Sequence, residues 1–161
     1  MICSTIRPRA LACAVFCILL CTLSASASAI GEQPPDHRFK VETLATDMTQ
    51  PMELELAPDG RIFFNEINGK LKIWKPDGRV VEAGVIPVFT PQENGFLGFA
   101  LDPQFKRNGH IFLYYSPTHH VGQRLSRFVM NGDVLDKTSE KVVLEFGVQP
   151  KDCCHPAGWL Q

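Results

Sequence analysis

The residues best equipped for chemistry stand close together near one end of the sequence. They are Asp152-Cys153-Cys154-His155, followed by Pro156-Ala157-Gly158-Trp159-Leu160-Gln161. An imidazole titrates near neutrality, so His155 could take a proton from an alcohol and hold it. Spacing alone does not require this, because a loop histidine in solvent or in a structural hydrogen bond fits the same sequence. The adjacent cysteines allow three states: free thiols, pairing with cysteines beyond residue 161, or a bond to each other. The last closes a strained ring, and strain of that kind gathers at functional sites, so a vicinal disulfide is the expectation. The second dense stretch is Glu93-Asn94-Gly95-Phe96-Leu97-Gly98-Phe99-Ala100-Leu101-Asp102-Pro103. Gly95 and Gly98 permit close backbone approach, which a turn into a buried strand or a flat cofactor would need. His119-His120 read as solvated loop residues, and neither zinc spacing nor a calcium loop is present.

The elements that must position these groups read as β throughout. From Phe39 onward, runs of β-branched and aromatic residues are broken by turn pairs. Leu54-Glu55-Leu56 ends at Pro58-Asp59-Gly60, and Ile62-Phe63-Phe64 ends near Asn68-Gly69. The Asn-Gly pair predicts a type I′ hairpin leading into Lys70–Trp74. The second half repeats the first. Leu54 and Leu56 match Phe99 and Leu101 at an offset of 45, and Ile62-Phe63-Phe64 match Ile111-Phe112-Leu113 at 49. Leu71, Trp74 and Gly78 match Leu125, Phe128 and Gly132 at 54. A repeat of this length with three or four short strands is the signature of a β-propeller blade; an antiparallel sandwich with similar hairpins is the alternative. A third repeat begins near Leu160. Glu93 and His155 then fall on the loops leading into the inner strands of the second and third blades, both directed at one channel mouth. Two blades and part of a third do not close a ring of 4–8, so the sequence reads as part of a longer polypeptide, inactive as it stands.

The first 29 residues read as a secretory signal peptide. Arg7 and Arg9 form a positive start, Ala10 to Leu23 is apolar, and Ala27-Ser28-Ala29 fits the cleavage site. Residues 30–38 form a polar lead-in, and residues 39–161 the folded part. Export to the periplasm or the exterior follows, with no stable membrane insertion after cleavage. Cys3, Cys13, Cys17 and Cys21 leave with the leader, so Cys153 and Cys154 remain in an oxidising compartment. Of 16 basic residues, Arg7 and Arg9 leave too, so 14 face 17 acidic ones, which argues against a nucleic-acid partner.

The stretch Glu93–Phe105, then Asn108-Gly109-His110-Ile111-Phe112-Leu113-Tyr114-Tyr115-Ser116, resembles the soluble pyrroloquinoline quinone (PQQ)-dependent glucose and sorbosone dehydrogenases. Ser126-Arg127-Phe128 and His155-x-x-Gly158-x-Leu160 follow in the family's order, and the similarity runs from residue 39 to 161. The resemblance implies a six-bladed propeller with PQQ over the channel mouth, oxidising an aldose or other polyol and passing electrons to an unidentified external acceptor. It implies His155 as the base that removes the hydroxyl proton. It places Glu93 where glucose-type members carry a cofactor-contacting Gln, and Cys154 where they carry Asp. A vicinal Cys153-Cys154 pair against the quinone is an analogy with the unrelated PQQ-dependent alcohol dehydrogenases. The family's basic cofactor-binding residues and calcium sites would lie beyond Gln161, and no metal ligand is expected within the chain. Two other readings stand beside this one. A non-enzymatic propeller binding module, as in hedgehog-interacting protein, would have no need of His155. A gluconolactonase-type hydrolase would need metal-binding carboxylates at the channel.

Overall fold

The computed structural model describes residues 35–147 together with Pro156, Gly158 and Leu160. The leader at 1–29 and the Cys153-Cys154-His155 group lie outside the described residues. The chain divides into two units, Met1–Val41 and Glu42–Gln161. Among its described residues the first shows one 3-10 turn, Asp36–Arg38; the sheets belong to the second.

Among the described residues eight strands follow in order: β1 Pro51–Leu56, β2 Ile62–Glu66, β3 Lys70–Trp74, β4 Val80–Val85, β5 Phe96–Leu101, β6 His110–Tyr115, β7 Gly122–Asn131 and β8 Val134–Gly147. They form two antiparallel sheets, β1-β2-β3-β4 and β5-β6-β7-β8. Each sheet is a meander of sequence neighbours, as a propeller blade requires and a Greek-key sandwich does not. A one-turn helix α1, Phe105–Asn108, joins β5 to β6.

The turns follow their residues. Gly60 N–H donates to Ala57 O at 3.0 Å, and Gly78 N–H to Lys75 O at 2.8 Å. In both turns the aspartate also accepts from the backbone two residues on, Asp59 from Arg61 at 3.2 Å and Asp77 from Arg79 at 3.1 Å. The Asn68-Gly69 turn differs from the type I′ expectation. Only Gly69 has positive φ, and its N–H closes on Glu66 O at 3.0 Å. A longer turn ending in a left-handed glycine does the same work.

The repeat read from the sequence holds in three dimensions. Cross-strand pairing places Leu54, Phe64, Ile62 and Trp74 on one face of the first sheet. It places their counterparts Phe99, Leu113, Ile111 and Phe128 on the corresponding face of the second. That face of the second sheet packs onto the first, burying Phe99, Ile111, Leu113 and Phe128 against Phe63, Leu71 and Ile73. Each such side chain contributes about 1.5–3 kcal/mol by burial. The matching face of the first sheet has no sheet on it among the described residues, and Leu54 is 69% and Leu56 66% exposed. On β8, Val143, Leu144 and Phe146 are also exposed.

The seam between the sheets has polar fastenings at both ends. Arg61, on the first sheet, donates to Gly132 O at 2.9 Å and pairs with Asp133 at 2.8 Å on the second. Lys75 pairs with the same Asp133. Along the inner strands, Phe99 N–H donates to Glu53 Oε2 at 3.0 Å and Leu101 N–H to Glu55 Oε2 at 2.7 Å. These amides lie on the free edge of β5, so β1 supplies with side chains what a fifth strand would supply with carbonyls.

Burial raises the Glu53 and Glu55 carboxyls above the ordinary glutamate value, and the backbone hydrogen bonds only partly offset this. A raised folded-state value means that the stabilising contribution is complete below the ordinary glutamate value. It is lost as pH rises through the raised one. The double variant E53Q/E55Q keeps an acceptor oxygen at each position and removes the charge. Urea unfolding is expected to show undiminished stability at neutral pH and no decline across the mildly acidic range. A loss above about 1 kcal/mol at neutral pH would mean that the ionised carboxylates are themselves the fastening.

Candidate functional site

Three loops share the end of the sheets at which β5 begins: residues 67–69, 86–95 and 116–121. They are tied to one another. Ile86 N–H donates to Gly69 O at 3.0 Å, Phe89 N–H to Ser116 O at 2.9 Å, and Val88 bridges Pro117. The segment 91–95, leading into β5, carries Glu93, whose side chain is exposed at this end.

The backbone of this loop is unusual. Gln92 and Glu93 have φ of 59° and 64°, a left-handed conformation that costs a non-glycine residue about 1 kcal/mol or more. The first sheet has a counterpart: Asp47, which matches Gln92 at the offset of 45, has φ of 61°. The loops before β1 and β5 thus share a backbone turn as well as a position.

The loop is held from both sheets. From the first, Ile67 O accepts Phe96 N–H at 2.9 Å. Asn65, fully buried in β2, donates to Phe96 O at 2.7 Å and accepts Glu53 N–H at 2.9 Å. The second interaction fills the bulge of β1 between Pro51 and Leu54. From the second sheet, buried Ser116 accepts Gly95 N–H at 3.2 Å, and Ser116 N–H donates to Gly95 O at 2.8 Å. Sequence reasoning missed Asn65, Ser116 and Gln123. A polar side chain within Phe63-Phe64-Asn65-Glu66 was the available signal.

Glu66 is also fully buried, accepting Lys72 Nζ at 2.5 Å and Thr49 N–H at 2.9 Å. Burial opposes its ionisation, but Lys72 and Thr49 outweigh it and hold the carboxyl below the ordinary value. It is a structural ion pair rather than a poised base.

Of the two uses expected for Gly95 and Gly98, a turn into a buried strand or room for a flat cofactor, the contacts fit the first. A methyl group on Gly95 would meet Ile67 O, and one on Gly98 would meet Gly158 O and the Glu53 carboxylate. The space beside each is filled by this chain's own atoms. Gly158 in turn lies against the Tyr114 ring and Leu97. Gly158 therefore packs on the second sheet, beside β5 and β6. Cys153, Cys154 and His155 themselves lie outside the described residues. His119 is exposed, but His120 is half-buried and its Nε2 has no hydrogen-bond partner among the described residues, so it is not the solvated residue expected. Among the described residues, no three His, Cys, Asp or Glu side chains converge as a metal site. No helix among them is long and apolar enough to cross a membrane.

Two consecutive four-stranded meanders, packed inner strand to inner strand with their loops gathered at one mouth, define blades of a β-propeller. The chain belongs to the glucose/sorbosone dehydrogenase family, whose model matches residues 48–156. Among solved structures it is similar to a glucose dehydrogenase-type oxidoreductase from Thermus thermophilus. The two are 26% identical with a TM-score of 0.61, over 69% of this chain and 33% of that one. The PQQ-bound aldose sugar dehydrogenase of Streptomyces coelicolor matches at 23% identity and TM-score 0.57, over 66% and 33% of the two chains. The apo form of the soluble aldose sugar dehydrogenase of Escherichia coli matches at 21% and 0.56, over 65% and 32%. The chain thus spans about a third of the length of these structures.

Gly98→Ala is expected to cost about 1–3 kcal/mol of unfolding free energy without any ligand present, because the methyl group displaces Gly158 or Glu53. Urea denaturation measures this. Unchanged stability would mean that the space over Gly98 is open and available to a ligand.

Proposed function

We infer that the chain is part of an exported PQQ-dependent dehydrogenase acting on an aldose or related polyol. The observation that carries this is the family match, which spans both Glu93 and the Cys153-Cys154-His155 group. The leader at residues 1–29 supports export to the periplasm or exterior. The exposed faces of β1 and β8 are the surfaces on which further blades would pack. Activity is assigned to the closed ring, and the two sheets alone are expected to be inactive.

PQQ when bound supplies a two-electron acceptor. His155 takes the proton of the substrate hydroxyl, its imidazole being suited to hold a proton near neutral pH. Glu93, exposed at the mouth, accepts hydrogen bonds from N–H or O–H groups of a ligand. It does not suit the carboxylates of PQQ, and loops 67–69, 86–95 and 116–121 contain no Lys or Arg. The cations that neutralise those carboxylates, and any calcium, are therefore assigned to later blades. Cys153 and Cys154 are assigned to the cofactor's surface as a vicinal pair. The lack of cations in these loops is also what favours the second reading, a non-enzymatic propeller that binds a protein or glycan.

Full-length protein reconstituted with PQQ and calcium is expected to reduce an artificial dye when supplied with aldoses. His155→Ala should lower turnover by roughly 10²–10⁴-fold while PQQ binding persists. Unchanged turnover removes His155 from the mechanism, and full-length protein that fails to bind PQQ leaves the binding module as the reading.

A further inference from the structure

Three buried or half-buried polar side chains, Asn94, Ser116 and Gln123, tie the loop that carries Glu93 to the second sheet. Asn94 Oδ1 accepts from Gln123 Nε2 at 3.0 Å and lies 3.0 Å from Ser116 Oγ. Ser116 Oγ also lies 3.0 Å from Gln123 Oε1. A hydroxyl has one proton, so Ser116 donates to one of these oxygens at a time. The amide of Asn94 turns the other way and donates to Pro91 O at 2.8 Å and Gln92 O at 3.3 Å. Asn94 thus grips the carbonyls of the two residues before Glu93 with its nitrogen, while its oxygen is anchored in the second sheet.

Gln123 and Ser116 are each 1% exposed. Gln123 lies near the start of β7, whose other buried side chains are Ser126, Phe128 and Met130. Burying a primary amide is unfavourable unless its hydrogen bonds are met, and an apolar side chain of similar size would fill the same space without that demand. The amide makes sense here as an anchor for Asn94. The pair Gln92 and Glu93 needs such an anchor, since consecutive left-handed residues other than glycine persist only where the surroundings impose them.

We propose that Asn94, Ser116 and Gln123 are positioning residues that impose the left-handed turn at Gln92-Glu93 and thereby aim the Glu93 carboxylate into the mouth. The part concerning ligand rests on the reading of Glu93 as a ligand contact. The part concerning the backbone does not. Glu93 is reached through one peptide bond from Asn94, so a change in the grip on Pro91 O and Gln92 O rotates its side chain directly. The network is separate from the seam that joins the sheets, which Asn65, Glu53 and Glu55 serve from the first sheet.

The test uses full-length protein and two readouts. The first needs no ligand: amide hydrogen exchange across residues 91–96. Asn94→Ala and Gln123→Leu are expected to speed exchange there at least tenfold while β6 and β7 keep their protection. Adding Gln92→Gly to Asn94→Ala should restore PQQ binding in part, because glycine takes the left-handed turn unaided. The second readout is therefore PQQ affinity by fluorescence titration. It is expected to weaken roughly tenfold in Asn94→Ala and to recover in Asn94→Ala/Gln92→Gly, which a merely destabilised fold would not do. Unchanged exchange across 91–96 in both Asn94→Ala and Gln123→Leu overturns the proposal, whatever the titration shows. Faster exchange with weakened affinity in Glu93→Ala but not in Asn94→Ala overturns the aiming of Glu93. Faster exchange with affinity unchanged in both supports the network as the turn's support and overturns the reading of Glu93 instead.

Discussion

An inner strand has one free edge, and its amides must find acceptors. In β5 those amides are Phe99 and Leu101, and the acceptors are Glu53 and Glu55 reaching across from β1. Everything near the mouth depends on that seam. It sets β5 against β1 at a fixed register, which brings Ile67 O to Phe96 N–H and Asn65 to Phe96 O. The seam thus fixes Phe96, where the loop carrying Glu93 enters β5, while Asn94, Ser116 and Gln123 hold the residues before it. A site built this way needs two blades before its first residue is in place.

Much of this architecture is legible in the sequence, because turn chemistry and alternation are local. Pro-Asp-Gly closes both of its turns as the residues demand, and the matched strand residues of the repeat lie on equivalent faces of the two sheets. What escapes a sequence reading are the features that depend on a neighbour. The strands β4 and β8 lie at the sheet edges, and exposed edge strands such as Lys141-Val142-Val143-Leu144-Glu145 show little periodicity. The turn at Asn68-Gly69 takes a different type because the loop it closes is one residue longer than a two-residue hairpin. Phe105–Asn108 form one helical turn between β5 and β6 that no motif in the sequence marks.

The candidate site is legible in part, and for a similar reason. The repeat puts Glu93 on the loop entering β5, which is where it stands. The glycines beside it look like room for a ligand, yet Gly95 and Gly98 make room for Ile67, Glu53 and Gly158 of the same chain. A glycine in sequence marks close approach and does not say of what. Gln123 resembles a surface residue because nothing local reveals that it faces inward, and Asn65 is marked only by following Phe63-Phe64 in a buried strand. Glu93 lies exposed on the loop entering β5, and Cys153, Cys154 and His155 lie outside the described residues.

The central claim is that the inter-sheet seam, through Asn65, Glu53 and Glu55, makes the start of β5 rigid and so fixes the mouth. Amide hydrogen exchange resolved to single residues tests it most directly. The amides of Phe96, Phe99 and Leu101 should exchange as slowly as those in the middle of β6, although each donates to a group outside its own sheet. Exchange of these three at the rate of an open loop, with β6 still protected, would contradict it.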